Sequence, residues 1–158
     1  MSRSIKFWDG FAERYARMPV RDETAYQEKL RVIRSHLRAD SNVLEFGSGT
    51  GSTAIVLAQD AGQYCAIDFS SKMTDIANGK LDEWPNPQLK FECSDFESLA
   101  ADDDSFDVVL GMNIVHLLPD WRGAIDKAAQ LLKPGGVFIS STVCAKDRGG
   151  MLMRILPL

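Results

Sequence analysis

The 158 residues carry 18 Lys and Arg against 22 Asp and Glu, a formal net charge of −4 and a sequence pI near 5.2. That mildly acidic balance, with no extended basic cluster, offers no electrostatic footprint for a polyanion; no nucleic-acid partner is expected, and small or neutral substrates fit better. With 45% hydrophobic content the chain buries one core of moderate size, so a single domain over 1–158 is expected. No run reaches the roughly 18 apolar residues of a membrane span and the amino terminus lacks a signal-peptide core, which makes cytoplasmic the default location.

The opening IKFWDGFAERYARM places Phe7, Phe11 and Tyr15 on one helical face. A second helix from about Asp22 to Arg38 repeats the pattern with Tyr26, Leu30, Ile33 and Leu37, and together these make an amino-terminal helical segment, 1–40. His36 falls on the polar side of that second helix and reads as surface. An α/β core over 41–145 follows.

It begins with the most informative stretch, NVLEFGSGTGSTAIVLA from Asn42 to Ala58. Val43, Leu44 and Phe46 predict a buried strand, and Gly47, Gly49 and Gly51 remove the side chains that would hold a ligand off the backbone. Thr50 or Ser52 then opens a helix with Ala54, Leu57, Ala58 and Ala61 on one face, its free N–H groups turned toward the glycines. Dinucleotide dehydrogenases use such a turn too, but with G-x-G-x-x-G spacing and a pyrophosphate on the helix N-terminus. Here the spacing is G-x-G-x-G, and Glu45 would repel a pyrophosphate while suiting a cationic or amino-bearing ligand.

Tyr64–Ser70, YCAIDFS, predicts a second strand ending in Asp68, about 20 residues past the first glycine, where a ribose-binding carboxylate sits in Rossmann-like folds. Asp68 could instead cap the next helix, although Ser70 can do that. Met73, Ile76 and Ala77 mark this helix. A third strand from Gln88 ends in Asp95 and Phe96, and a fourth from Phe106 to Met112 runs into Asn113. Three consecutive strands thus end in polar groups. The acidic run Asp102 to Asp104 reads as a solvated turn rather than a metal site, since consecutive positions cannot all face one ion.

A last helix carries Trp121, Ala124, Ile125, Ala128, Leu131 and Leu132, and a fifth strand spans about Val137 to Val143. Alternating strands and helices predict an open, mostly parallel sheet with helices on both faces; right-handed crossovers gather the carboxyl strand ends along one edge, where ligands bind. Cys65, Cys93 and Cys144 lie in or beside apolar strand-like runs without C-x-x-C spacing, and read as buried small hydrophobes in a reducing compartment.

The blocks VLEFGSGTG, AIDFSSKM, FECSDFESL, FDVVLGMNIVHLL and LLKPGGVFISST, in this order and spacing, resemble the class I S-adenosylmethionine-dependent methyltransferases, most of all the small-molecule branch that includes the quinone-biosynthesis C-methyltransferases. The resemblance implies S-adenosylmethionine as cofactor, an enzyme acting on a small-molecule methyl acceptor, and no metal. Carried over by it, Glu45 and the turn Gly47, Ser48, Gly49 and Gly51 meet the methionine end, Asp68 takes both ribose hydroxyls, and Phe69 with Met73 flanks the adenine. Asp95 accepts from the adenine amino group beside Phe96, and Asn113 helps bind the methionine amino group. The Asn/Asp-Pro-Pro-aromatic motif of nucleic-acid amino-methylating relatives is absent after strand four. No catalytic residue is assigned. His116, at the sheet edge, is the side chain type that serves as a general base near neutrality, but capping or packing suits it as well. Tyr15 suits a lid over the cofactor or plain core packing. An NAD-dependent oxidoreductase, aminopropyl transfer and a non-catalytic adenosyl-ligand-binding module are the alternatives.

In the resembling family the fold continues beyond strand five. The chain reads as truncated there, with 146–158 an apolar tail that nothing covers, a bare fifth-strand edge and homo-oligomerisation through that edge as its consequence.

Overall fold

The fold is seen in a computed structural model that describes residues 2–143 and 151–157. The strands are β1 (Asn42–Phe46), β2 (Gln63–Asp68), β3 (Leu89–Cys93), β4 (Phe106–Met112), β5 (Leu132–Val143) and β6 (Met151–Pro157), and they form one sheet in the order β3-β2-β1-β4-β5-β6. All pairings from β3 through β5 are parallel, and β6 joins β5 antiparallel. The chain therefore starts at the middle of the sheet, builds outward through β2 and β3, then crosses back to β4 on the other side of β1. Connections leaving β1 and β4 diverge, which opens a crevice at their carboxyl ends.

The helices are α1 (Ser2–Ala16), α2 (Glu23–Arg34), α3 (Ser52–Leu57), α4 (Ser71–Glu83) and α5 (Trp121–Leu131). Period-two alternation splits β1, β2, β4 and β5 between two apolar layers. Val43, Tyr64, Phe91, Val108 and Ile139 pack with Leu30 and Ile33 of α2, Ala54 and Leu57 of α3 and Ala77 of α4. Leu44, Phe46, Ile67, Val109 and Phe138 pack on the opposite side with Ala124, Ala128 and Leu131 of α5. Helices cover both faces, as the alternating pattern predicts.

Several local expectations are corrected. α2 stops at Arg34 because Ser35 turns back on Arg31 and Val32, although Leu37 still packs on the core. α3 spans 6 residues and tightens into a 3₁₀ turn at Ala58–Asp60; its N-cap is Gly51 in the left-handed region, with no side-chain cap. Leu132 begins β5 rather than ending α5, and Trp121 is exposed. On α1, Phe7 is 62% exposed and Ala12 is the fully buried residue. Cys93 is exposed at the end of edge strand β3 and Cys65 is half-buried, so neither is the fully buried residue expected, and Cys144 lies outside the described residues. The fifth-strand edge is not bare: β6 pairs along it from Val137↔Pro157 to Val143↔Met151. Among the described residues no helix is long and apolar enough to cross a membrane.

Candidate functional site

At the end of β1 the chain makes a turn through the left-handed region, which glycine takes at least cost. Gly47, Gly49 and Gly51 have φ of +65°, +55° and +74°. The three are not equivalent. A Cβ on Gly47 would lie 2.5 Å from Ile114 Cγ1, and one on Gly51 would lie 2.5 Å from Phe91 Cζ, so both make room for packed side chains. At Gly49 a Cβ would meet only Tyr15 Cε1, at an ordinary contact distance of 3.6 Å. Gly51 thus serves helix-to-sheet packing, not the ligand side.

The turn is held against β2. Ser48 donates its N–H to Ile67 O at 3.0 Å and Gly49 donates to Asp68 Oδ2 at 2.8 Å. Asp68 Oδ1 accepts the Ser70 N–H at 2.9 Å, and Ser70 caps α4 by accepting from the Met73 N–H. Asp68 is therefore not the cap; Ser70 is. Burial nevertheless raises the Asp68 pKa above the usual carboxylate value, outweighing the two backbone donors, and the neighbouring Asp9 raises it further. Asp9, on α1, accepts the Ser70 hydroxyl at 2.6 Å.

Across the crevice, Asn113 follows β4 with φ of +56°, a conformation that non-glycine residues rarely take and that surrounding structure must hold. Ser141 of β5 supplies that hold: its carbonyl accepts the Asn113 N–H at 2.9 Å and its hydroxyl donates to Asn113 Oδ1 at 3.3 Å.

Between these walls lies a narrow cleft of about 60 Å³. It brings together six of the expected cofactor residues, Gly47, Gly49, Asp68, Phe69, Met73 and Asn113, with Tyr15, weighed above as a lid, and adds Trp8, Met112, Ile114 and Leu117. Trp8 and Tyr15 project from α1 and close it, their rings packed edge to face 6.4 Å apart. Trp8 was legible as the residue one heptad before Tyr15; Ser141 was legible as a polar residue near the carboxyl end of the fifth strand. Burial, followed by the nearby Asp68 and Glu45, raises the Tyr15 pKa, so its hydroxyl keeps its proton at neutral pH.

The other expected residues do not line the cleft. Phe96 is buried in the core, stacked on Phe46 at 4.0 Å. Glu45 lies beneath the turn, 1% exposed, on the strand face covered by α2. Tyr64 donates its hydroxyl to Glu45 Oε2 at 2.7 Å. Burial pushes the Glu45 carboxyl up to about 7 despite that donor and the charge of buried Lys29. Asp95 accepts the Glu97 N–H through Oδ1 at 3.3 Å, while its buried Oδ2 has no partner among the described residues. His116 is exposed on a 3₁₀ turn and stands off the cleft. A wider depression of about 620 Å³ along α2 is a solvated helix face, lined by side chains such as Glu28 and Arg31 that pair with each other.

The model of the methyltransferase domain family matches residues 43–136. The chain is 29% identical over 123 residues to the uncharacterized methyltransferase YcgJ of Bacillus subtilis, covering 75% of this chain and 49% of that protein. It is 29% identical over 102 residues to a ubiquinone biosynthesis O-methyltransferase of Coxiella burnetii, covering 65% and 43%. The crystal structure of YcgJ superposes with a TM-score of 0.69 at 27% identity, over 73% of this chain and 50% of that one. The chain thus spans about half the length, or less, of the curated relatives it matches.

Proposed function

The chain belongs to the class I S-adenosylmethionine-dependent methyltransferase family, and from that premise we propose that it seats the cofactor over the Gly47–Gly49 turn and directs methyl transfer to a small-molecule acceptor. The carrying observation is the Asp68 carboxylate, fixed at the cleft by the Gly49 and Ser70 N–H groups, with lone pairs left over for a diol.

The residues present fit such a cofactor. Gly49 has only the Tyr15 ring over its backbone, 3.6 Å from where a Cβ would stand, so movement of that ring opens the backbone to a ligand. Asp95 Oδ2 is a buried acceptor without a donor, and buried acceptors are seldom left unpaired; an adenine amino group would satisfy it. Phe69 and Met73 line the cleft next to Asp68 as apolar cover for the base. Asn113, with its side-chain oxygen oriented by Ser141, is placed to meet the methionine amino group. Glu45 acts there at one remove, as a buried carboxyl under the turn whose pKa burial raises to about 7, and Ser48 and Gly51 shape the turn. Phe96 supports the site only through the core.

When bound, S-adenosylmethionine supplies a methyl group already activated on a cationic sulfur, and the protein mainly has to orient the partners. Alignment of acceptor and methyl–sulfur bond can contribute about 7–11 kcal/mol. Among the described lining residues the ionisable groups are Asp68, committed to the turn, and Tyr15, held protonated. Neither is assigned as a general base, and with the methyl group already activated by the cofactor a dedicated base is optional. A cleft of about 60 Å³ is well below the roughly 300–1,000 Å³ of ligand pockets. Trp8 and Tyr15 therefore have to move aside for the cofactor, which makes α1 a lid.

The Coxiella relative named for ubiquinone biosynthesis makes quinone precursors the first acceptors to screen; a net charge of −4 without an extended basic cluster disfavours nucleic acid, and a cytoplasmic location belongs to the same proposal. The test is calorimetric titration with S-adenosylmethionine, its demethylated product and NAD in one buffer. Micromolar binding of the first two and none of NAD supports the reading, and binding of NAD alone overturns it.

A further inference from the structure

Lys80 sits on the third turn of α4 and spends all of its ammonium protons on the far end of the glycine turn. Its Nζ donates to Thr50 O at 2.8 Å, to Thr50 Oγ1 at 3.2 Å and to Ser52 Oγ at 2.9 Å. Among the described residues no carboxylate pairs with it. A lysine ammonium is strongly hydrated, and one that exchanges water for three neutral oxygens of the two residues flanking Gly51 is fixing those oxygens in place.

The turn needs such a fix. Its entrance is bound to β2 through the Ser48 and Gly49 N–H groups. Its exit carries Gly51 as a helix cap with no side-chain cap bond, ahead of a helix of 6 residues that has no acidic residue in its first turn. Glycines at positive φ are the residues with most backbone freedom to lose. Without Lys80, the exit would be held locally by the Gly51 N–H to Ser48 O bond of 3.1 Å and the start of the helix.

We propose that Lys80 is a positioning residue for the cofactor: by clamping Thr50 and Ser52 it fixes the path of the turn and so the direction of the Gly49 backbone over which the cofactor is seated. Its ammonium touches the turn from the α4 side and does not line the cleft. The inference rests on the turn being the cofactor's seat.

Lys80→Met keeps the stem and removes the donors, and Lys80→Arg restores a cation that can reach the same oxygens. Two readouts are taken at a temperature where each protein is folded: calorimetric affinity for S-adenosylmethionine and its demethylated product, and amide hydrogen exchange at residues 48–53. Loss of hydrogen bonds from a charged donor predicts about tenfold weaker cofactor binding in the methionine variant, with faster exchange confined to the turn and recovery in the arginine variant. Unchanged affinity, or exchange that quickens uniformly through the sheet, overturns the proposal and leaves Lys80 an ordinary stabilising contact. If the methionine variant does not fold, Thr50→Val combined with Ser52→Ala removes two acceptors and must shift both readouts in the same direction. Should the unaltered protein bind neither compound, the cofactor reading fails on its own, and turn-specific exchange still decides whether Lys80 is the clamp.

Discussion

The Asp9 carboxylate accepts the Ser70 hydroxyl at 2.6 Å, and Ser70 in turn caps α4 and gives its backbone N–H to Asp68. One side chain on the first helix is thereby wired to the carboxylate at the cleft. Asp9 also directly follows Trp8, which covers that cleft. Replacing Asp9 by Ala should release the lid more readily: cofactor dissociation should quicken about threefold to tenfold, and stability should fall by about 1 kcal/mol for one partly exposed hydrogen bond. Stopped-flow fluorescence gives the rate and urea unfolding the stability. An unchanged dissociation rate beside a normal loss of stability would mean that the contact only anchors the helix.

Asp68 presents two oxygens that each hold one backbone N–H, yet it remains within the cleft. Asp68→Ala should weaken binding of S-adenosylmethionine by about 2–3 kcal/mol, since bonds from ribose hydroxyls to a carboxylate are of the charge-assisted kind. The loss of stability should be smaller, because apolar packing around β2 is untouched. Calorimetry and thermal melting together separate the effects; native affinity in a natively melting variant removes Asp68 from the ribose.

Glu45 is fully buried with its carboxyl raised to about 7 from an ordinary 4.5. Between those values the folded protein holds a proton that the unfolded chain releases, so stability falls as pH rises through this window and the loss is complete above about 7. A shift of this size corresponds to about 3 kcal/mol. Glu45→Gln keeps an acceptor for the Tyr64 hydroxyl and has no proton to lose. The unaltered protein should lose about 2–3 kcal/mol more than the Gln variant between pH 5 and pH 8 in urea unfolding. Parallel pH profiles would show that Glu45 is ionised throughout, held so by Lys29.

The mostly parallel sheet, its two-sided helical cover and Asp68 at the end of β2 were legible because period-two apolar runs and glycine spacing are local signals; the third strand, expected to run to Asp95, stops at Cys93, so Asp95 lies beyond it. Phe96 misled because an aromatic after a strand-ending acid has the same appearance whether it covers a ligand or, as here, stacks on Phe46. Glu45 was legible as an acid beside the turn, but strand alternation points it into the α2 layer, away from the cleft. The contacts that organise the site, Asp9 with Ser70, Lys80 with Thr50 and Ser141 with Asn113, join residues 61, 30 and 28 positions apart. No local pattern encodes them. The cover on β5 was missed for a related reason: MLMRILP has no alternation, and its pairing follows from the neighbouring edge.

The glycine turn offers a separation of stability from binding. Gly51 has φ of +74° and its Cβ would meet Phe91 at 2.5 Å and Ala77 at 2.9 Å, so Gly51→Ala combines backbone strain with overpacking. It should cost about 2–4 kcal/mol of stability. Gly49 has φ of +55° but its Cβ would meet only Tyr15, at an ordinary 3.6 Å. Gly49→Ala should cost about 1–2 kcal/mol through strain alone, while its methyl occupies the space over the backbone proposed as the cofactor's seat. Cofactor affinity should then fall at least tenfold in the Gly49 variant, and by less in the Gly51 variant at temperatures where it stays folded. Urea unfolding and calorimetry on the two proteins test this crossing of effects. Equal losses of affinity would place the ligand contact as much at Gly51 as at Gly49, and an intact affinity in Gly49→Ala would move the cofactor off the turn.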